Sequence, residues 1–200
     1  MKLTLLSLLM LLSTFDIFAQ IEKGNVLISV SGNYRNDKKI EIGNKPTLNA
    51  LNTSASVGYF FSDRLVAGGG LDYKYQKNVP YYEAHQSLQI TVKGYFPYLY
   101  VGYYLPIVPK LYFNTNLKVS MGKDTGTAID QNRYKYTFET NFLEAQVSPE
   151  LTYFFLKRVG ASVGLGGLSY VKSKSMNAEN HNWLVNFNPP YWKIGIKVAL

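Results

Sequence analysis

Two-residue alternation of apolar and polar side chains recurs in eight stretches of this chain, and it limits the fold more than any other feature. In residues 25–34, Val26, Ile28, Val30 and Tyr34 alternate with Ser29, Ser31 and Asn33. Successive side chains on a strand point to opposite faces, so each stretch becomes a strand with one apolar and one polar face. The same pattern runs through 51–61, 65–76, 87–105, 111–121, 134–155, 159–170 and 184–200. In the fourth stretch the phase slips: Leu88, Ile90 and Val92 form the early apolar set, and Leu99, Val101, Tyr103 and Leu105 the late one. A bulge at residues 94–97 is expected there, because Pro97 lacks a ladder donor. Outside the first twenty residues no stretch sustains helical periodicity.

The connections alternate in length. Long polar ones (35–50, 77–86, 122–133, 172–182) interleave with tight ones (62–64, 106–110, 156–158). Strands joined this way run up and down, with long loops at one end, and tight turns and both termini at the other. Alternation alone does not say whether water or lipid lies outside the barrel. Three features place lipid there. Most strands offer about ten residues, enough to span a bilayer when tilted. Loop lengths are segregated by end, as in transmembrane barrels. The polar faces are mostly small and uncharged, whereas a water-facing surface carries more charge. The fold class implied is all-β: one eight-stranded antiparallel up-and-down transmembrane β-barrel over residues 20–200.

The polar faces point inward in this reading. The acids Asp72, Glu144 and Glu150 then meet Lys93, Lys118, Lys193 and Lys197 inside the barrel, since isolated buried charges are costly. Side chains fill an interior of this size, so no open pore is expected. The aromatics sort into two belts. Tyr59, Phe61, Tyr103, Phe113, Tyr153 and Phe155 lie near the short turns, and Tyr34, Tyr73 and Tyr75 near the long loops. Amphipathic rings at both membrane–water interfaces fit that arrangement.

Residues 1–19 read as a signal peptide: Lys2 gives the positive start, residues 3–12 an apolar run too short to span, and cleavage falls after Ala19. There is no cysteine, which excludes a lipoprotein anchor, disulfides and thiolate metal sites. The formal net charge is +8. On an exported chain that charge meets anionic lipid head groups or acidic glycans and not nucleic acid.

Several stretches resemble a known family. Ser56-Val57-Gly58-Tyr59-Phe60-Phe61-Ser62-Asp63-Arg64-Leu65-Val66-Ala67-Gly68 is similar to the second strand, tight turn and third strand of the OmpX/OmpA-type small outer-membrane barrels in their Bacteroidetes version, which usually carry Asn where Arg64 stands. Val101-Gly102-Tyr103-Tyr104-Leu105-Pro106 resembles the family's fourth strand and Leu165-Gly166-Gly167-Leu168-Ser169-Tyr170 its seventh. Such barrels often end in an aromatic residue read by the insertion machinery; here alternation continues to Leu200. The resemblance covers the mature chain. It implies the outer membrane of a Gram-negative bacterium, and as partners outer-membrane lipid, lipopolysaccharide, periplasmic chaperones and the insertion machinery.

The candidate sites are few. The two histidines, His85 and His181, fall in long connections. Glu83, His85 and Ser87, or Ser175, Glu179 and His181, would be the sets for a lipid A-modifying enzyme, the first alternative function. A secreted soluble barrel binding a small apolar ligand is the second. Neither histidine set has a family-specific spacing, so both are read as loop residues and no catalytic residue is assigned. The glycines at 68–70 and 164–167 lack the Lys-Ser/Thr and helix of a phosphate loop. Asp37, Glu41, Asp124 and Asp130 lack calcium-loop spacing. No metal or cofactor is therefore expected. The loop lysines Lys38, Lys39, Lys172 and Lys174 are the candidate contacts to glycolipid phosphate. The reading is of a non-enzymatic protein with a structural or surface-interaction role.

Overall fold

The computed structural model describes residues 21–38, 47–79, 89–129, 134–175 and 178–200. The expected signal peptide, Lys39, Glu83, His85 and Ser87 lie outside these. The alternating stretches form ten antiparallel strands among the described residues: β1 (Val26–Lys38), β2 (Thr47–Phe60), β3 (Leu65–Val79), β4 (Gln89–Val108), β5 (Leu111–Ile129), β6 (Lys135–Phe154), β7 (Val159–Gly164), β8 (Gly167–Ser175), β9 (Ala178–Asn186) and β10 (Lys193–Ala199). Each of β1 to β5 pairs with the next, β5 pairs with β6, β6 with β7, β7 with β10 and β10 with β1. These pairings close into a ring of eight strands. The β8–β9 hairpin extends the sheet beyond the ring by pairing with β6. Where β1 starts and β10 ends, Val26 and Leu200 exchange backbone hydrogen bonds of 2.9 and 2.8 Å.

The two faces of the ring differ as the alternation requires. On β4 the odd positions Tyr95, Leu99, Val101, Tyr103 and Leu105 point outward and are exposed, while Gly94, Tyr98, Gly102 and Tyr104 point inward and are buried. Outward positions elsewhere carry Ile28, Val30, Val57, Leu117, Val119, Met121, Leu143, Val147, Ile194 and Ile196, all exposed.

Two expectations about regularity are corrected. The pairing of β4 passes through residues 94–97 without a bulge: Gly94 faces Asp124, Tyr95 faces Lys123 and Tyr98 faces Ser120 in one register, and Leu71 faces Pro97 on the other side. The apolar residues change face there, whereas the backbone does not. Ile90 and Val92 share the inward parity of β4 beyond the belt, and Ile90 faces the buried Ala128. Register slips lie elsewhere: one between Pro106 and Val108 against β5, beside the tight turn, and one in the seventh alternating stretch, which is split into β7 and β8. Glu150 faces Gly164 but Val147 faces Leu168, so three steps along β6 oppose four along its partner. Gly166 takes up the extra residue at φ 89°, where a Cβ would overlap the Asn186 carbonyl.

The long connections are also shorter than expected. Thr125, Gly126 and Thr127 continue β5, and 172–175 with 178–182 continue the β8–β9 hairpin, as ladder-paired ribbon.

The apolar core sits inside the ring at the turn end. Leu27, Phe60, Val66, Tyr104, Phe154 and Ala199 are buried together with Ile21, which precedes β1. Edge-to-face ring contacts link Phe60 to Tyr104 (5.3 Å), Tyr104 to Tyr112 (6.3 Å) and Tyr112 to Phe154 (5.8 Å). Offset and edge-on arrangements are those that aromatic quadrupoles favour.

Candidate functional site

Three regions bear on function: the polar interior, the outward belt and the β8–β9 ribbon. The interior is built from the inward positions of every ring strand, because a closed ring turns one face of each strand onto a shared axis. Lys197 on β10 donates to Glu150 of β6 at 2.7 Å and to the Tyr104 hydroxyl at 2.8 Å. Glu150 Oε2 also accepts from the amides of Asn114 (2.8 Å) and Asn116 (3.2 Å), and the Thr152 hydroxyl donates to Asn114 Oδ1 (2.8 Å). This saturates one carboxylate oxygen and compensates a buried cation, as a low-dielectric interior requires.

A second pair stands nearer the loops: Lys118 donates to Asp72 at 2.7 Å and lies 5.0 Å from the Tyr98 ring centre. The Tyr98 hydroxyl is 2.8 Å from that of Ser54. A third pair, Lys74 to Asp124 at 2.8 Å, stands beyond it, with Lys74 5.5 Å from the Phe142 ring centre. Small residues make room for the inward tyrosines. A Cβ on Gly58 would overlap the Tyr100 hydroxyl, and one on Gly70 would stand 2.5 Å from Tyr98 Cζ. Between these layers is a cavity of about 120 Å³ lined by Ser29, Ser31, Ser56, Tyr100, Lys118 and Lys193. Among the described residues no group of three or more histidine, aspartate or glutamate side chains is placed to hold a metal.

Of the residues expected inside, Asp72, Lys118, Glu144, Glu150, Lys193 and Lys197 stand on inward positions. Lys93 does not. It shares the outward parity of Tyr95 and Leu99, is exposed, and lies 6.0 Å from the outward Tyr75 ring centre. The expectation relied on a parity change at 94–97, and without that change Lys93 falls on the outer face. Lys74 and Asp124, by contrast, form an interior pair that the sequence reading did not assign.

The inward aromatic cluster was also missed, and the sequence does carry a signal for it. Tyr59-Phe60-Phe61, Tyr103-Tyr104, Tyr112-Phe113 and Tyr153-Phe154-Phe155 all place adjacent aromatics beside a tight turn. With a period of two, adjacent rings must point to opposite sides. Tyr59, Phe61, Tyr103 and Tyr153 thus form an exposed outer belt, while Phe60, Tyr104 and Phe154 are buried inside.

Along β4 the outward Tyr95 and Tyr103 are eight residues apart. At about 3.3 Å per residue they bracket about 26 Å of strand. At the usual tilt of a small barrel this stands about 20 Å tall, close to the apolar band of a bilayer-spanning barrel.

The β8–β9 ribbon gathers Tyr170, Lys172, Glu179, His181 and Trp183. The Tyr170 hydroxyl is 2.5 Å from His181 Nδ1, and His181 Nε2 is 3.1 Å from Glu179 Oε1. Lys172 pairs with the same carboxylate oxygen at 2.7 Å. The hydrogen bond and charge of Lys172 hold Glu179 below its ordinary value of 4.5, and those of Glu179 hold Lys172 above 10.5. The rings of Tyr170 and Trp183 are 5.2 Å apart. Ser175 pairs with Ala178, whereas His181 pairs with Lys172, so the ladder brings tyrosine and not serine to this histidine. Lys174 is exposed farther along the ribbon, and Lys38 ends β1.

No family model and no curated protein matches the chain. Among solved structures it is similar to the N-terminal β-barrel domain of Pseudomonas aeruginosa OprF, at 15% identity and a TM-score of 0.41 over 89% of this chain and 98% of that one. It is similar to Ail, the attachment invasion locus protein of Yersinia pestis, at 13% identity and 0.41 over 89% and 99%. Neisserial surface protein A is similar at 11% identity and 0.42 over 88% and 97%.

Proposed function

We propose that this chain is an integral outer-membrane β-barrel of a Gram-negative bacterium, of the Bacteroidetes type that its strand–turn stretches resemble. It has a structural or surface-interaction role, no enzymatic activity and no open pore. The observation that carries the reading is the inversion of its two faces. Outward Leu99 and Ile194 are 73% and 71% exposed, while inward Asp124 and Lys197 are each 4% exposed. In water a continuous apolar belt of this extent is an aggregation hazard. In a bilayer it is the solvated surface, and a closed ring leaves no unpaired strand edge within the hydrocarbon.

The closed-pore reading is supported by the aromatic cluster of Phe60, Tyr104, Tyr112 and Phe154 in the interior at the turn end, and by the ion pairs beyond it. The non-enzymatic reading is supported by the ribbon: the ladder sets the candidate Ser175 opposite Ala178, away from His181, and leaves His181 on an exposed strand where, among the described residues, no cleft would hold a substrate against it. The ribbon, with exposed Trp183 and Lys174 and the half-exposed Lys172, is the surface offered to partners. Outer-membrane lipid and lipopolysaccharide as surroundings, residues 1–19 as the export signal, and periplasmic chaperones with the insertion machinery for delivery belong to the same reading.

The test is fractionation of expressing cells followed by gel mobility with and without boiling. The expected result is an outer-membrane product whose unheated form migrates differently from the boiled chain. A product that stays in the aqueous fraction without detergent contradicts the reading.

A further inference from the structure

We infer that the outward face of β3, β4 and β5 at the loop end holds the phosphate of a lipid head group. The inference rests on the membrane reading above and names a site within it. The site begins with Lys93, which the continuous register of β4 turns outward. Tyr75 faces Lys93, and Lys93 faces Thr125, so Lys77 on β3 and Lys123 on β5 are its diagonal neighbours on the same face. Diagonal side chains across a sheet stand about 7–8 Å apart, within reach of one another for long side chains. Three cations therefore form a slanting row across three adjacent strands.

Lys123 has an acid, Glu139 on β6, at 2.5 Å. Among the described residues no acid pairs with Lys77 or Lys93. Like charges in such a row repel, and an anion bridging them removes that cost. The outward positions of β1 and β2 in the same rows are Tyr34, Asn36, Asn49 and Leu51, so on that side the row of charge ends at β3.

The surroundings say what carries the anion. Tyr73 and Tyr95 pack at 5.1 Å just below Lys93 with their rings tilted by 43°, forming an aromatic ledge. One row lower stand Leu71, Pro97 and Met121, the rim of the apolar belt. A ligand over the lysines thus has apolar surface directly beneath it, which suits a molecule with a phosphate above and acyl chains below. A free anion gains nothing from that lower half.

The test is native mass spectrometry of the purified full chain in detergent, incubated with phosphatidic acid or with diacylglycerol carrying the same chains. The two lipids differ only in the phosphate. The expected result is retention of phosphatidic acid over diacylglycerol, with the preference falling about 150-fold in the Lys77→Gln, Lys93→Gln, Lys123→Gln triple variant and about fivefold in Lys93→Gln alone. The single variant carries the test if the triple variant does not fold. Inorganic phosphate at equal concentration is expected not to displace the lipid. Equal retention of both lipids, an unchanged preference in the variants, or displacement by inorganic phosphate overturns the inference. Heat-dependent mobility of the same samples separates the two levels: its absence in the unaltered chain defeats the membrane reading, and its presence without phosphate selectivity defeats this site alone.

Discussion

At the residue scale, Glu150 is the hub of the interior. It takes the Lys197 ammonium and two asparagine amides on one oxygen, and Lys197 in turn holds the Tyr104 hydroxyl. Glu150→Ala leaves a buried ammonium without its counter-charge, which costs about 3–5 kcal/mol. Glu150→Leu combined with Lys197→Met removes both charges and is expected to cost far less. Urea unfolding of the refolded barrel checks both; equal losses in the two variants would mean that the pair does not carry the cost. The sequence made the inward placement of these two residues legible, because parity on a regular strand is local and Lys197 and Glu150 sit in unbroken alternation. Lys93 was misplaced for the opposite reason. Its parity depends on whether the backbone or only the hydrophobicity changes face at 94–97, and a one-dimensional pattern represents both identically.

At the scale of elements, the β8–β9 ribbon is the part with its own titration. Glu179 is held below 4.5 by Lys172, so the contact contributes fully above pH 4.5 and is lost as pH falls through the lowered value. Lys172 is held above 10.5, so the contact contributes fully below pH 10.5 and is lost as pH rises through the raised value. The indole resonance of Trp183, whose ring packs tilted against Tyr170 in the same ribbon, is expected to report both limbs. In Glu179→Gln the acid limb should vanish; its persistence would assign the titration elsewhere. The ribbon was not legible as a strand pair, since Lys172, Ser173, Lys174 and Ser175 carry no alternation and only ladder pairing orders them. The partner of His181 was hidden for the same reason: register, not spacing, brings Tyr170 to it. The bulge at Gly166 shows the limit from the other side. Nothing in the run of glycines marks an extra residue, and only the two registers against β6 reveal it.

On the scale of the whole molecule, eight strands close into a ring because each of them finds two neighbours, and closure turns one set of faces inward. Paired aromatics beside the turns then serve both sides at once, one ring in the outer belt and the next in the inner cluster. On the proposed reading the outer face meets lipid. The chain has no cysteine, so single cysteines carrying a nitroxide can be placed one at a time along β4 from Tyr95 to Leu105. The most direct measurement is the accessibility of each label to oxygen, which concentrates in lipid, and to a water-soluble nickel chelate. The prediction is a period of two, with labels at Leu99, Val101 and Tyr103 open to oxygen and shielded from nickel, and labels at Tyr98, Tyr100 and Gly102 shielded from oxygen. Outward labels open to the nickel chelate along the whole strand would contradict it.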